Sequence, residues 1–136
     1  MANRVWFDAR SLVRRYTTGW ERYVRELAIH LPKLIDTTIW TPKTNNRLAL
    51  LISDFQTAKS QSGHEVLHFP TYPPRNKNKE TSQVITVHDL TWWKYPETSS
   101  FLGNNYFKKN MTKALFQSDV IICPSNSIKS ELISQF

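Results

Sequence analysis

The sequence predicts an α/β fold built on a doubly wound, mainly parallel sheet. Two observations carry this: five short β-prone runs recur along the 136 residues, and stretches of helical periodicity lie between most of them. Strand and helix alternation makes neighbouring strands parallel and puts helices on both faces of the sheet. A third observation fits the same architecture. Asp8 and Arg10, Thr71 and Tyr72, His88 and Asp89, and Ser125 and Asn126 each follow one of the runs. In such sheets ligands bind outside the carboxyl ends of the strands, so these residues are expected to gather along one edge.

The first strand is the apolar run Arg4 to Phe7, which stops at Asp8-Ala9-Arg10. A basic loop holding Arg14 and Arg15 leads to Thr18-Gly19-Trp20-Glu21, where Thr followed three residues later by Glu forms a capping box. Trp20, Tyr23, Val24, Leu27 and Leu31 then recur at i, i+3, i+4, i+7 and i+11, the stripe of an amphipathic helix that Pro32 ends. Thr37 to Thr41 is β-rich and stops at Pro42; a helical pattern follows through Leu48, Leu51, Ile52 and Phe55. Glu65 to Phe69, between Gly63 and Pro70, reads as the third strand, and Tyr72 to Glu80, with two prolines and few apolar residues, as a mobile loop. Gln83 to Val87 is the fourth strand and delivers His88-Asp89 at its end. An aromatic loop, Leu90 to Glu97, precedes a long helix through Leu102, Tyr106, Lys109, Lys113 and Leu115, capped by Ser99 or Ser100. Asp119 to Cys123 is the fifth strand, and Ser125-Asn126-Ser127 cap a last helix whose Ile128, Leu132, Ile133 and Phe136 share a face.

Composition bounds the function. With 40% hydrophobic and 21% charged residues the chain is globular, and 136 residues suffice to bury roughly two thirds of the unfolded surface in one domain. The three glycines, Gly19, Gly63 and Gly103, are too dispersed for a phosphate loop or a dinucleotide fingerprint. The single cysteine, Cys123, excludes an internal disulfide and reads as a buried, inert thiol suited to a reducing cytoplasm. Arg4, Asp8 and Arg10 interrupt the N-terminus where a signal peptide needs an apolar stretch, and no run reaches the ~18 apolar residues of a membrane span. Eighteen Lys+Arg against 11 Asp+Glu leave a charge of +7, which favours anionic partners without choosing among them. The basic residues do not interleave with stacking aromatics on a nucleic-acid motif, so nucleic acid is not expected. Lys108, Lys109 and Lys113, with Arg14 and Arg15, form either a surface for anionic lipid or a solvated basic face. Trp92, Trp93 and Tyr95 are read as packing over the core in preference to stacking on sugars.

His64-Glu65-Val66-Leu67-His68 matches a zinc-protease pattern that works only on a helix, where i and i+4 rise about 6 Å. In a strand the same spacing covers about 13 Å, too far for two imidazoles to share a metal at about 2.0 Å. Gly63, Pro70 and the apolar residues between them favour a strand, so no metal is expected, with His64 at the surface and His68 near the cleft.

Five blocks together resemble the N-terminal domain of family 4 (group 1) glycosyltransferases: Asp8-x-Arg10; Thr18-Gly19-x-x-Arg22-Tyr23-Val24-Arg25-Glu26-Leu27; His68-Phe69-Pro70; Val87-His88-Asp89-Leu90-Thr91 with Tyr95-Pro96-Glu97; and Ser118 to Ile122 with Ser125, Lys129 and Leu132. They run in order over essentially the whole chain. The resemblance implies a Rossmann-like half of a two-domain GT-B fold that binds the acceptor, while a C-terminal domain or separate subunit binds the donor. It implies retaining transfer of a hexose from a nucleotide-sugar to a polysaccharide, lipid-linked or cell-surface acceptor, with no essential metal, in the cytoplasm or peripherally at the inner face of the membrane. By the same resemblance Gly19 approaches the donor's diphosphate, His88 contacts the donor sugar near the reacting carbon, and Asp89 and Ser125 lie on the same rim; Asp8, Arg10 and Tyr72 are further candidate substrate contacts. Two departures stand out. Glu21 replaces a small residue in the Thr-Gly loop and is expected to turn back into the capping box, and the chain stops at Phe136, before any donor-binding half. The alternative is a catalytically inactive carbohydrate- or membrane-binding module of the same fold.

Overall fold

The computed structural model describes residues 4–13, 18–43, 57, 59–98 and 100–136. Five strands, β1 (Val5–Asp8), β2 (Thr37–Trp40), β3 (Val66–Phe69), β4 (Ser82–Thr86) and β5 (Val120–Ile122), form one sheet in the order β2-β1-β3-β4-β5, and every neighbouring pair is parallel. Among the described residues, helices α1 (Gly19–His30), α2 (Thr91–Lys94), α3 (Phe101–Gln117) and α4 (Asn126–Gln135) pack on it. This is the doubly wound, Rossmann-like α/β architecture that the strand and helix alternation predicts.

β1 lies between β2 and β3 and all four of its residues are buried, which explains why it reads as a continuous apolar run instead of an alternating one. Its side chains divide between two cores. Trp6 joins Leu67, Phe69, Ile85, Met111, Leu115 and Leu132 under α3 and α4, with its ring centroid 5.5 Å from that of Phe69 and 5.4 Å from that of Trp40. Phe7 and Ala9 face Val24, Tyr23 and Leu27 of α1 on the opposite side. The register pairs Trp6 with Leu67 and Phe7 with His68, so the two-residue period keeps each core on its own face.

Several boundaries differ from the sequence reading. β4 starts one residue earlier than expected and ends at Thr86, although the N–H of Val87 still donates to the Ile122 carbonyl at 2.9 Å. β5 is shorter than expected because Asp119 acts as a side-chain partner: its carboxylate accepts from the N–H of Gln83 at 2.8 Å and from Lys77 at 2.6 Å. The segment expected as an aromatic loop contains α2, set by the Asp89 carboxylate accepting from the N–H of Thr91 at 2.9 Å, followed by a 3-10 turn, Pro96–Thr98. Ser100 precedes α3 without making a side-chain cap, while Ser125 caps α4 through the N–H of Ile128 at 3.2 Å. The loop after Tyr72 is tethered, in contrast to the mobility its composition suggests. Lys113 donates to the Arg75 carbonyl at 3.0 Å and to Asn76 at 2.9 Å, and Lys77 reaches Asp119. Cys123 is half-buried, and burial pushes its thiol pKa up. The helical pattern over Leu48 to Phe55, the loop residues Arg14 and Arg15, and Ser99 lie outside the described residues.

Among the described residues no helix is long and apolar enough to cross a membrane.

Candidate functional site

In a sheet of order 2-1-3-4-5 the chain reverses its direction of winding between β1 and β3, and the crevice at that switch point lies outside the strands' carboxyl ends. The residues after β1, β3 and β4 meet here. Pro70 follows β3 directly, and its carbonyl accepts from Nε2 of His88 at 2.7 Å. A carbonyl can only accept, so Nε2 carries the proton and the neutral ring keeps its lone pair on Nδ1. No donor among the described residues reaches Nδ1.

Helix α1 closes on the same imidazole. The Trp20 ring stacks on it with centroids 5.2 Å apart and planes 21° from parallel, and Tyr23 meets it edge-on at 5.0 Å and 87°. The helix stripe explains both contacts: Trp20 and Tyr23 occupy its first turn, which opens at the carboxyl edge, so they face strand ends while Val24 and Leu27 continue the stripe into the core. Burial under these rings lowers the His88 pKa; the Pro70 hydrogen bond and the nearby Asp89 charge oppose that shift and are outweighed. His88 therefore stays neutral at pH 7, able to accept a hydrogen bond at Nδ1.

Glu21 turns back as expected. Its carboxylate accepts from the N–H of Thr18 at 2.8 Å and from the Thr18 hydroxyl, completing the capping box, and the side chain is buried. The protein thus places its own negative charge at the helix N-terminus, where the dipole favours an anion. Gly19 is exposed beside it, and a Cβ there would meet no atom of the described residues within 4 Å.

The remaining candidate residues divide. Asp8 and Arg10 are 0% and 1% exposed, a depth at odds with the open rim their sequence position suggests. Asp8 accepts from the Arg10 Nε–H at 2.7 Å and from the Arg10 backbone N–H at 3.0 Å, and the guanidinium lies 5.7 Å from the Trp40 ring centroid and 5.5 Å from that of Tyr72. Tyr72 is half-buried at this contact, so one of its faces is occupied by Arg10. Asp89 spends one carboxylate oxygen on the start of α2, and Ser125 is an exposed cap. Trp92 is buried in the core, Trp93 is half-buried under the Lys108 ammonium at 4.3 Å, and Tyr95 stays exposed. The buried hydroxyls of Ser11 and Thr71, next to Arg10 and Pro70, have no hydrogen-bond partner among the described residues and add polar groups to this edge.

His64 and His68 take separate partners. His64 precedes β3 and bonds to Thr38 at 2.8 Å and to the Gln61 carbonyl at 3.2 Å; His68 lies within β3, buried, with Nε2 3.0 Å from the Thr86 hydroxyl. His68 is thus a core residue and not a cleft residue. Burial lowers its pKa from 6.5 to about 4. Between those values the unfolded chain binds the proton that the folded chain refuses, so the contribution is fully present above pH 6.5 and is lost as the pH falls toward 4. The expected loss is on the order of 3 kcal/mol. Denaturant titrations of the wild type and His68→Gln at pH 7 and pH 4.5 check this: the two proteins should differ much more in acid sensitivity than in stability at pH 7, and equal acid sensitivity would contradict it.

Sequence reasoning identified His88 and Asp89 but missed Trp20, Tyr23 and Pro70 as His88's partners. The available signal was the position of Trp20 and Tyr23 in the first turn of a helix that begins at the ligand-binding edge. A comparison with known protein families finds no match, and no curated protein matches the chain.

Proposed function

We propose that the chain is the acceptor-side half of a retaining glycosyltransferase, moving a hexose from a nucleotide-sugar to a polysaccharide, lipid-linked or cell-surface acceptor together with a donor-binding domain or subunit. One observation carries the reading: three blocks of the glycosyltransferase resemblance, far apart in sequence, converge on one ring. Tyr23 belongs to the Thr-Gly block, Pro70 to the His-Phe-Pro block and His88 to the His-Asp-Leu-Thr block, and Trp20 stands at a variable position within the first. The convergence lies at the carboxyl edge, where doubly wound sheets bind ligands. In this reading a sugar hydroxyl donates to Nδ1 of His88, and the free carboxylate oxygen of Asp89 takes a second hydroxyl. The nucleotide-sugar is a co-substrate and no metal is required. The activity belongs in the cytoplasm or at the inner face of the membrane, where the basic residues of α3 meet anionic lipid.

The Glu21 carboxylate favours a second reading, the catalytically inactive carbohydrate- or membrane-binding module, because it fills the helix N-terminus that a diphosphate would approach. Two measurements separate the readings: amide-resolved titration of the labelled chain with octyl glucoside, and transfer from UDP-glucose or GDP-mannose to octyl glucoside by the chain combined with a donor-binding half. The transferase reading expects octyl glucoside to shift Trp20, His88 and Asp89 and the combined protein to transfer sugar. Shifts without transfer favour the module, and neither shifts at these residues nor transfer overturns both.

A further inference from the structure

We propose that Trp20 is the positioning residue of the site: stacked on His88, it holds the imidazole plane so that Nε2 stays on the Pro70 carbonyl and Nδ1 is kept as a fixed acceptor for a hydroxyl-bearing ligand. The inference rests on reading His88 as ligand-facing, but its test needs no ligand. Three contacts define the ring. The Pro70 hydrogen bond at 2.7 Å fixes one atom, the Tyr23 edge at 5.0 Å limits sideways movement, and the Trp20 face at 5.2 Å and 21° sets the plane. A single hydrogen bond leaves an imidazole free to swing about its side-chain torsion, since terminal torsions of this kind are broad; a stacked aromatic face restricts it. Trp20 is only half-buried, and among the described residues the aromatic ring it stacks on is that of His88, so a smaller apolar residue would satisfy the helix stripe equally well without holding that ring.

Nuclear magnetic resonance of the full chain labelled at histidine nitrogens and carbons tests this directly. In the wild type the His88 ring protons are expected upfield of their usual positions through the Trp20 ring current, with nitrogen shifts of a single Nε2–H tautomer. Ring protons at unperturbed positions would overturn the proposal without any variant being made. Trp20→Leu is expected to lose the single-tautomer pattern while the His68 signals stay in place, and Trp20→Phe to restore it. An unchanged His88 spectrum in a folded Trp20→Leu protein would leave the indole a purely structural role and overturn the proposal. Because these signals are read without sugar, a failure here is distinct from a failure of the chain to bind octyl glucoside or to support sugar transfer.

Discussion

If the chain is the acceptor-side half proposed above, His88→Ala is expected to lower kcat/KM for sugar transfer on the order of 10²-fold in an enzyme reconstituted with a donor-binding half, the range found when one positioned hydrogen-bonding group is removed from an active site. The truncation deletes the Nδ1 acceptor and leaves the Pro70 carbonyl facing the place where Nε2 had been. It also removes the surface on which Trp20 and Tyr23 rest. The fold should survive, since His88 is half-buried and follows β4, outside the ladder. Steady-state kinetics with a thermal melt of the same sample check both halves of the expectation. A folded variant with unchanged turnover would remove His88 from the mechanism, and a rise in KM with kcat unchanged would reduce its role to uniform binding.

Asp8→Ala is expected to have the larger effect on stability, about 3–5 kcal/mol, because it takes the carboxylate from a guanidinium that remains buried. Against a total stability of roughly 5–15 kcal/mol, that change brings a domain of this size near unfolding at 37 °C. Asp8→Asn keeps an acceptor for the Arg10 backbone N–H and should cost less. Asp8→Ala/Arg10→Met removes both charges and should recover much of the loss, since an apolar side chain suits the space between Trp40 and Tyr72. Urea titration of the three variants decides what the pair is for. A loss below about 1 kcal/mol in Asp8→Ala would mean the pair is not a buried structural unit, and would return Asp8 and Arg10 to direct ligand contact.

These two experiments separate residues that look alike in sequence. Both Asp8-x-Arg10 and His88-Asp89 are polar pairs placed after an apolar strand, and strand-end position alone gives them equal standing. Burial distinguishes them: the first pair is enclosed beneath Trp40 and Tyr72, whereas His88 is half-buried with one nitrogen that no donor among the described residues reaches. In the zinc-like pattern, His64 stands two residues before β3 and His68 within it, and each ring has its own partner, Thr38 and Thr86.

What the sequence by itself determined was whatever depends on short-range periodicity and local chemistry. Short β-prone runs of four or five residues marked the five strands described, the 3.6-residue stripe from Trp20 to Leu31 marked α1, and Thr18 with Glu21 specified a capping box within a single helical turn. The alternation of strands and helices predicted parallel neighbours, although the third and fourth strands pair in parallel across the loop from Tyr72 to Glu80 with no helix between them. The tertiary structure alone decided which strand-end residues stay accessible, that His68 belongs to the core, and that Trp20, Tyr23 and Pro70 converge on His88. Those facts join residues 18 to 68 positions apart. Their geometry follows from strand order and helix docking, long-range packing outcomes that no local pattern encodes.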